Sequence, residues 1–443
     1  MIPADSLDCA FGPDGELRAL ARGLFSELRR LSFDGVGVTR ESFGPLETAA
    51  QDLIARIAVE HGLAVERDRC CNLVVTLAGT DTALPFIATG SHLDSVPRGG
   101  NYDGAAGVVS GLLALIALRR LEPRPRRTSK LYALRGEESA WFGKSWIGAH
   151  ALFGLLKDSD LARPRYDNGR PLRAYLEDVG ADVAAIARGE KLLEPQAVAG
   201  FIELHIEQGP VLEAKDLPVG VVTGIYGNLR HMEIVCRGTA AHAGATPRFL
   251  RHDAVTASAD LIMRMDGHWQ QWLERGTQLL ITHGMLGTNP QEHAISRIPG
   301  EVRFSVEIRA DDHATLQAFH DLLQAEAQAV ARARGVTFTF DEAIVNRPAP
   351  MDRGWIARLE QLCAAAGVAQ MRMASGAGHD AAVFSHVGIP TAMLFVRNAH
   401  GSHNPAEHME INDFILATRV LAHALRAASQ PSFTDSRASA PRP

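Results

Sequence analysis

Two residues that could serve a metal ion, His92 and Asp94, follow a short apolar run of the sequence. This run, residues 84–89, is bounded by turn residues and predicts a buried strand that ends near the pair. Side chains two positions apart on a strand share a face, so His92 can ligate a metal while Asp94 accepts the other imidazole N–H. Asp103 would then bridge two metals, and Gly104 would give the backbone room. Taken alone, His92 and Asp94 could also be a hydrogen-bonded pair at a strand end.

Two adjacent glutamates, Glu137 and Glu138, follow a second strand-like run at residues 130–134. Neighbouring residues in an extended chain point to opposite sides. One glutamate can therefore be a metal ligand while the other stays free, close to the metals, as a proton-transfer group. The alternative is a solvated acidic loop, because charged side chains are mostly exposed.

Two further histidines complete a candidate ligand set. Residues 201–210 begin with alternating apolar and polar residues, so Glu203 and His205 share one face of a strand. His403 lies in a turn that Gly401 and Pro405 punctuate. The candidate ligands are imidazoles and carboxylates without a thiolate: His92, Asp103, Glu138, His205 and His403. Such a set suits Zn, Mn, Co or Ni rather than a structural Cys-rich zinc site.

Together these motifs resemble the M20 metallopeptidase superfamily and, within it, the hydantoinase/carbamoylase family of amidases. That family includes N-carbamoyl-L-amino acid hydrolases, allantoate amidohydrolases and β-ureidopropionases. The resemblance runs from about residue 20 to about residue 425 and occurs in the family's order. It rests on residues 90–96, 103–104, 137–138, 203–210, 222–225, 242–247, 251–253, 298–300 with Arg309, 376–380, and His403.

The resemblance implies a site that holds two divalent metal ions per subunit, with Asp103 as the bridging ligand. The remaining ligands would be His92, Glu138, His205 and His403. Glu137 would be the general base for a metal-bridging water, whose pKa falls to about 7 in such sites. The resulting hydroxide would attack the amide carbon. Asp94 would orient His92 by accepting the imidazole N–H that does not face the metal.

The resemblance also implies residues that act on the substrate. His242 is similar to a family residue that reaches the active site of the partner subunit and stabilises the tetrahedral intermediate, which predicts a homodimer; the alternative is a cap on the strand at 232–236. Gln208, Asn228 and Arg309 are candidates for substrate binding, and Arg309 can grip a carboxylate bidentately. For Arg309 the alternative is an ion pair at a surface or interface.

Several pocket positions depart from the family pattern. Ser296 stands where the carbamoylase pattern has an Asn that helps to hold the substrate carboxylate, and Glu307 stands where an Asp is usual. Residues 139–142 read Ser-Ala-Trp-Phe instead of Gly-Ser-Arg-Phe, and residues 397–398 read Arg-Asn instead of Pro-Ser. The ligand positions are all retained. We therefore expect hydrolysis to be retained with a non-standard substrate, and Ser296 is a further substrate-binding candidate.

The leading prediction is a dinuclear metal amidohydrolase that cleaves the C–N bond of an N-carbamoyl amino acid or ureido acid that carries a carboxylate. The alternative on the same scaffold is an N-acyl amino acid deacylase or dipeptidase, motivated by the departures at 139–142, 296 and 397. A non-catalytic binding protein of the same fold is a third possibility, but such a relative is expected to have lost a ligand or the base. This chain has lost neither.

Composition narrows the class of protein. The 443 residues are 46% hydrophobic, as in ordinary globular proteins, and suffice for two domains with substantial cores. A net charge of −6 gives no basic field for nucleic acid. The longest apolar run, residues 108–118, is too short to span a membrane. Five cysteines without metal-type spacing, together with an N-terminus unlike a signal peptide, predict a cytoplasmic protein.

The order of the motifs predicts the domain organisation. Candidate ligands occupy the first 210 residues and then the segment near 403, which requires an inserted domain between them. We predict an α/β catalytic sandwich with a mostly parallel central sheet, in two parts at 1–218 and 347–428. The insert at 219–346 is predicted to be a four-stranded antiparallel sheet with two helices, which by resemblance would be a lid and dimerisation domain. Residues 429–443 are predicted to be disordered.

Overall fold

The computed structural model describes residues 5–11, 15–121 and 123–429. The described residues form two compact units, one of residues up to Thr223 and from Pro350 onward, the other Gly224–Ala349. Residues 430–443 of the predicted disordered tail lie outside the described residues.

The strands are numbered in chain order. They are β1 (Ala64–Arg67), β2 (Leu73–Leu77), β3 (Phe86–His92), β4 (Ser129–Leu134), β5 (Val198–Ile206), β6 (Val219–Ile225), β7 (Gly227–Arg237), β8 (Ala241–His242), β9 (Leu279–Thr282), β10 (Leu286–Gly287), β11 (Arg297–Ile298), β12 (Glu301–Ala310), β13 (Thr337–Phe340), β14 (Ile344–Asn346), β15 (Ala349–Pro350), β16 (Gln370–Ser375) and β17 (Thr391–Val396).

The helices are numbered in the same way. They are α1 (Asp5–Ala10), α2 (Glu16–Ser32), α3 (Pro45–Glu60), α4 (Ala105–Arg119), α5 (Ile147–Leu152), α6 (Asp158–Leu161), α7 (Leu172–Asp178), α8 (Val183–Ala187), α9 (Val211–Lys215), α10 (Ala254–Glu274), α11 (His313–Arg334), α12 (Arg353–Ala365), α13 (Asp380–His386) and α14 (Ile411–Ala428). Short 3-10 turns lie at Pro195–Ala197, Arg248–Leu250 and Pro290–Glu292.

The first unit is built on a 9-stranded sheet with the strand order β1-β2-β4-β3-β5-β17-β6-β15, in which β16 also pairs with β6. Its centre is parallel, because β3 runs parallel to β4 and β5, and β17 runs parallel to β5. The flanks are antiparallel, as in the pairs β1 with β2 and β17 with β6. All residues of β5 and β17 are buried, as expected for parallel strands covered on both faces. The predicted α/β class with a mostly parallel central sheet is confirmed.

The long apolar run of the sequence is a core helix. Residues 105–118 of α4 are all buried, and the helix packs against β3, β5 and α14. Within the described part of the chain, no helix is both long enough and apolar enough to cross a membrane.

One strand differs from the sequence-based domain boundary. The prediction began the insert at residue 219, but β6 (Val219–Ile225) pairs with β17 in the large sheet through Val219 to Val222. All but one of its residues are buried, which suits a strand inside a large sheet. The second compact unit accordingly begins at Gly224.

The second unit contains an antiparallel sheet and two long helices. Strand β12 pairs with β7 along its length, β9 and β10 pair with the free side of β12, and β13 and β14 pair with the free side of β7. The sheet therefore has four strand positions, as predicted, but each outer position holds two short strands in succession. A β-bulge between Phe304 and Val306 separates the part of β12 that pairs with β10 from the part that pairs with β9.

The two helices of the second unit begin where the sequence supplies caps. Asp253 accepts the backbone N–H groups of Val255 and Thr256 at the start of α10, and Asp312 accepts that of Thr315 at the start of α11. Both helices bury an apolar stripe against the sheet, and Leu261 and Leu323 lie in the resulting core. The predicted α+β character of this segment is confirmed.

Candidate active site

The candidate ligands of the first unit meet at one edge of the sheet. His92 is the last residue of β3, where it is the register partner of Leu134 at the end of β4. Two residues separate the end of β4 from Glu137 and Glu138, and His205 is the penultimate residue of β5. Parallel strands bring their carboxyl ends to the same edge, where sites in such sheets usually lie.

The first group of ligand atoms surrounds one oxygen of Asp103. Asp103 Oδ1 lies 3.2 Å from His205 Nε2 and 3.5 Å from His92 Nε2, and the two imidazole nitrogens lie 3.5 Å apart. All three residues are buried, and together they could hold a metal ion. His92 Nδ1 lies 3.0 Å from the backbone carbonyl oxygen of Asp94, and His205 Nδ1 lies 2.9 Å from that of Ile206. Because each Nδ1–H donates to a carbonyl, the lone pair of each ring is on Nε2, the atom that would bind a cation; here His205 Nε2 accepts the backbone N–H of Gly104 at 3.2 Å.

The second group surrounds the other oxygen of the same carboxylate. Asp103 Oδ2 lies 3.3 Å from His403 Nε2, which lies 3.4 Å from Glu138 Oε1. These three residues are a second group that could hold a metal ion. The structure thus brings all five predicted ligands together, with Asp103 between two sets of partners.

The charges of this cluster fit cations. Hydrogen bonds that His403 donates to the carboxylates of Asp103 and Glu138 raise its pKa to about 11. The pKa of His92 is raised well above its ordinary value by hydrogen bonds to Asp103 and Asp94, although burial opposes this. The negative charge of the carboxylates therefore favours positive charge at this site. Protons on the imidazoles supply that positive charge when no other cation does. Divalent metal ions that prefer nitrogen and oxygen ligands would supply the same positive charge.

Asp94 supports the site differently from the sequence-based expectation. Its carboxylate Oδ1 lies 3.4 Å from His92 Nδ1, farther than its own backbone carbonyl oxygen. The two carboxylate oxygens instead accept the backbone N–H groups of Glu137 and Glu138, each at 3.1 Å, and Oδ2 also accepts the Ser42 hydroxyl. Asp94 therefore holds the backbone that carries both glutamates.

Glu137 lies beside the two groups without belonging to either. Its Oε2 atom is 3.9 Å from His92 Nε2, and its Oε1 atom accepts the indole N–H of Trp146 at 2.8 Å. Burial raises the pKa of Glu137 well above its usual range, His92 opposes the rise, and the carboxylate of Glu138 adds to it. A carboxylate that binds a proton more readily than usual, placed next to candidate ligands, is suited to proton transfer.

Gln208 lies at the bridging carboxylate. Its side-chain amide donates to Asp103 Oδ2 at 2.7 Å, and among the described residues no partner reaches its buried Oε1 atom. Gln208 therefore lies inside the cluster of candidate ligands.

Sequence reasoning missed two residues that hold Asp103. Glu407 accepts the backbone N–H groups of Tyr102 and Asp103 at 2.7 and 3.2 Å, and the Ser402 hydroxyl lies 2.6 Å from both Asp103 Oδ2 and Glu407 Oε2. The sequence offered one indication of their role, because both residues lie in the same turn segment as His403.

A third group of potential ligands, Glu203, His205 and His379, overlaps the first group through His205. Glu203 accepts the Ser91 hydroxyl at 2.7 Å and the backbone N–H of Ala381 at 2.8 Å. His379 Nε2 lies 2.8 Å from Ser375 Oγ. These bonds make Glu203 and His379 a buried polar layer behind His205.

Two of the predicted substrate-binding residues lie side by side in the second unit. Arg309 on β12 is the register partner of Asn228 on β7. Asn228 Oδ1 accepts the side-chain amide of Asn346 at 2.9 Å, and Arg309 lies 3.0 Å from Glu307, which also pairs with Arg230 at 2.5 Å. For Arg309, the alternative to substrate binding was an ion pair, and the structure contains such a pair with Glu307. Arg309 and Asn228 lie on the same sheet.

His242 and Ser296 lie together in another part of the second unit. His242 is the register partner of Arg297 in the short β8–β11 pair, and the carbonyl oxygen of Ser296 accepts the N–H of Ala243 at 2.7 Å. His242 is exposed, and its Nδ1 atom lies 3.2 Å from the backbone nitrogens of Gly244 and Ala245. Since Nδ1 accepts these N–H groups, the neutral ring carries its proton on Nε2 and can donate from there.

Comparison with known proteins agrees with this arrangement. Residues 88–427 match the peptidase family M20/M25/M40. The chain is 33% identical over 411 residues to an N-carbamoyl-L-amino-acid amidohydrolase of Paenarthrobacter aurescens, covering 90% of this chain and 95% of that protein. It is 31% identical over 399 residues to an allantoate amidohydrolase of Bacillus subtilis (strain 168), covering 89% and 93% of the two chains.

A solved structure extends the similarity to the fold. An amidase of the hydantoinase/carbamoylase family from Burkholderia multivorans matches with a TM-score of 0.84 and 28% sequence identity, covering 94% of this chain and 98% of that one. The resemblance inferred from the motifs is confirmed. The chain belongs to peptidase family M20/M25/M40 and, within it, to the hydantoinase/carbamoylase amidases, and it is an amidohydrolase.

Proposed function

We propose that this protein binds two divalent metal ions per subunit and hydrolyses the C–N bond of an N-carbamoyl amino acid or another ureido acid. The observation that carries the proposal is the position of Asp103, whose two carboxylate oxygens belong to two different groups of potential ligands. Enzymes of this family are metal-dependent. Two relatives described above are named for N-carbamoyl amino acids and for allantoate, which carry ureido groups.

The ligands divide into two sets in this proposal. His92, His205 and Asp103 would hold one ion, and Glu138, His403 and Asp103 would hold the other. When bound, the ions lower the pKa of a water molecule to about 7 and stabilise negative charge on the oxygen of the scissile carbonyl. Zn, Mn, Co and Ni all accept this ligand set.

Glu137 is the proton-transfer group. Its Oε2 atom lies 3.9 Å from His92 Nε2, which would place it near a water molecule held by the two ligand sets. It takes a proton from that water as the water attacks the carbonyl carbon, and it returns the proton to the leaving nitrogen. Its raised pKa suits it to hold the proton between these two steps.

Residues of the second unit would recognise the substrate. Arg309 and Asn228 are proposed to bind its carboxylate, because a guanidinium can donate two parallel hydrogen bonds to a carboxylate. His242 is proposed to donate from Nε2 to the carbonyl oxygen in the active site of a second copy of the chain, which makes the enzyme a homodimer. Segment 224–349 would then be both lid and dimerisation domain.

The test is a product assay with purified, Mn- or Zn-loaded protein. Hydrolysis of a ureido substrate consumes one water and yields a free amine and a carbamic acid, which breaks down to carbon dioxide and ammonia. We expect ammonia from at least one compound in a panel of N-carbamoyl amino acids, β-ureidopropionate and allantoate. N-acetyl amino acids, N-formyl amino acids and dipeptides are assayed in parallel, and amine from these without ammonia from any ureido compound would identify a deacylase or dipeptidase instead.

A further inference from the structure

Trp146 contacts Glu137 twice. The indole N–H donates to Glu137 Oε1 at 2.8 Å, and the backbone N–H of Trp146 donates to the carbonyl oxygen of Glu137 at 3.0 Å. The next two residues continue this pairing, because the N–H groups of Ile147 and Gly148 donate to the carbonyl oxygens of Gly136 and Arg135, each at 2.8 Å. Three backbone hydrogen bonds thus connect the start of α5 to the residues that follow β4.

The backbone of Trp146 adopts an uncommon conformation. Its φ of 60° and ψ of 37° lie in the left-handed region, which side chains other than glycine rarely adopt. The strain is sustained by the backbone hydrogen bonds of Trp146 and of the two residues that follow it. This conformation directs the indole toward Glu137 rather than along α5.

The indole ring is confined by its neighbours. It lies on the backbone of Gly378, where a Cβ atom would come within 2.5 Å of the ring atom Cζ2. The imidazole of His150 lies on another side, with ring centroids 5.9 Å apart. The indole N–H therefore has little freedom to leave Glu137.

The two oxygens of Glu137 face different partners. Oε1 accepts the indole N–H, whereas Oε2 is the oxygen nearest to His92. A glutamate side chain has several rotatable bonds, and a general base works only when its oxygen is within hydrogen-bond reach of the proton it takes. A donor that occupies Oε1 keeps Oε2 turned toward the ligand cluster.

We propose that Trp146 is a positioning residue for the general base, which it orients through the hydrogen bond to Oε1. This inference rests on the proposed function, in which Glu137 moves the proton. Trp146 lies outside the motifs that carry the family resemblance, and its role follows from the left-handed turn and the bond it permits.

The test is Trp146→Phe, which keeps an aromatic ring on Gly378 and removes the N–H donor. We expect kcat to fall about tenfold, as for the loss of one hydrogen bond to a charged group, while KM and the metal content stay unchanged. The matched control is Trp269→Phe, which removes an indole N–H that donates at 2.7 Å to the carbonyl oxygen of Leu279 in the second unit. The control is expected to keep the wild-type kcat.

A second variant covers the case in which Trp146→Phe does not fold. Gly378→Ala keeps the N–H but pushes the indole aside, so kcat should fall with metal content unchanged. Wild-type kcat in Trp146→Phe, or loss of bound metal together with kcat, would overturn the positioning role. Glu137→Gln is assayed beside it: if Glu137→Gln is inactive while Trp146→Phe is fully active, the inference fails and the proposed function stands, whereas full activity in Glu137→Gln would contradict the proposed function itself.

Discussion

Gly104 lies so close to His92 that a Cβ atom at position 104 would come within 2.4 Å of His92 Cε1. The residue also has a φ of 64°, in the left-handed region that favours glycine. The chain must make this turn directly after Asp103, so the turn and the imidazole share one small space. The expectation from sequence that Gly104 leaves room at the site thus has a specific atomic basis.

Gly104→Ala is therefore expected to displace the His92 ring and to remove most bound metal and turnover. The matched control is Gly367→Ala, because Gly367 has a φ of 65° but no atom within 4 Å of its Cβ position. Both variants pay the backbone strain of about 1–2 kcal/mol, and only the first moves a proposed ligand. Metal content measured after dialysis separates them. Equal metal content in both variants would show that the close contact with His92 is unimportant.

The two ligand groups predict how metal is lost when single residues are replaced. His205→Ala removes a ligand from the group around Asp103 Oδ1, and Glu138→Ala removes one from the group around Asp103 Oδ2, so each should retain about one ion per chain where the wild type is expected to hold two. Asp103→Ala removes the shared carboxylate and should leave neither ion tightly bound. The measurement is metal per chain by elemental analysis. Loss of both ions in all three variants, or one ion in the wild type, would argue against two separate sites.

Arg309→Lys should raise KM for a carboxylate-bearing substrate by about tenfold or more, with a smaller effect on kcat. A lysine keeps the charge but cannot donate two parallel hydrogen bonds to a carboxylate. The control is Arg303→Lys on the same strand, since Arg303 pairs at the surface with Glu301 and Glu233. Steady-state kinetics on the best ureido substrate measure the effect. An unchanged KM would show that Arg309 does not bind the substrate carboxylate.

A buried histidine pair predicts a pH dependence of stability in the second unit. His231 Nε2 lies 2.9 Å from His320 Nε2, and His231 Nδ1 lies 2.9 Å from the carboxylate of Asp341. Burial, followed by the neighbouring His231, lowers the pKa of His320. The unfolded chain then takes up a proton on His320 below about pH 6.5, where the folded chain still resists it.

This contribution to stability should therefore be absent above about pH 7 and become increasingly unfavourable as the pH falls below 6.5. His320→Gln keeps a polar side chain without the titration, so the wild type should lose more stability than the variant between pH 7.5 and pH 5.5. Thermal unfolding of both proteins at the two pH values measures the difference. Parallel changes in the two proteins would rule out His320 as the source.

The parts of the molecule that the sequence predicted are those set by local pattern. The strand-like runs before His92 and Glu137 and the alternating run that contains His205 mark strands, and parallel strands bring their carboxyl ends to one edge. The helices α10 and α11 were predicted because the helical pattern of apolar residues is a local signal. His403 was a candidate ligand from its turn alone, and the family resemblance gave it a place in a two-metal site.

The rest depends on contacts that sequence separation conceals. Strand β6 was assigned to the insert because it adjoins β7 in the chain, but its pairing with β17 joins residues far apart in sequence. Glu407 was not recognised because its partners, the backbone N–H groups of Tyr102 and Asp103, are more than 300 residues away. Trp146 was not recognised because its hydrogen bond to Glu137 is made from a left-handed backbone conformation, which a tryptophan in the sequence does not indicate.

The most direct test of the account is ammonia release by Glu137→Gln at full metal loading, compared with the wild type on the same ureido substrate. Glutamine keeps the shape of the side chain but cannot take up the proton, so turnover should fall by about 10²- to 10⁴-fold with two ions still bound per chain. Wild-type turnover by the fully loaded variant would contradict the account, because Glu137 could then not be the proton acceptor of the reaction.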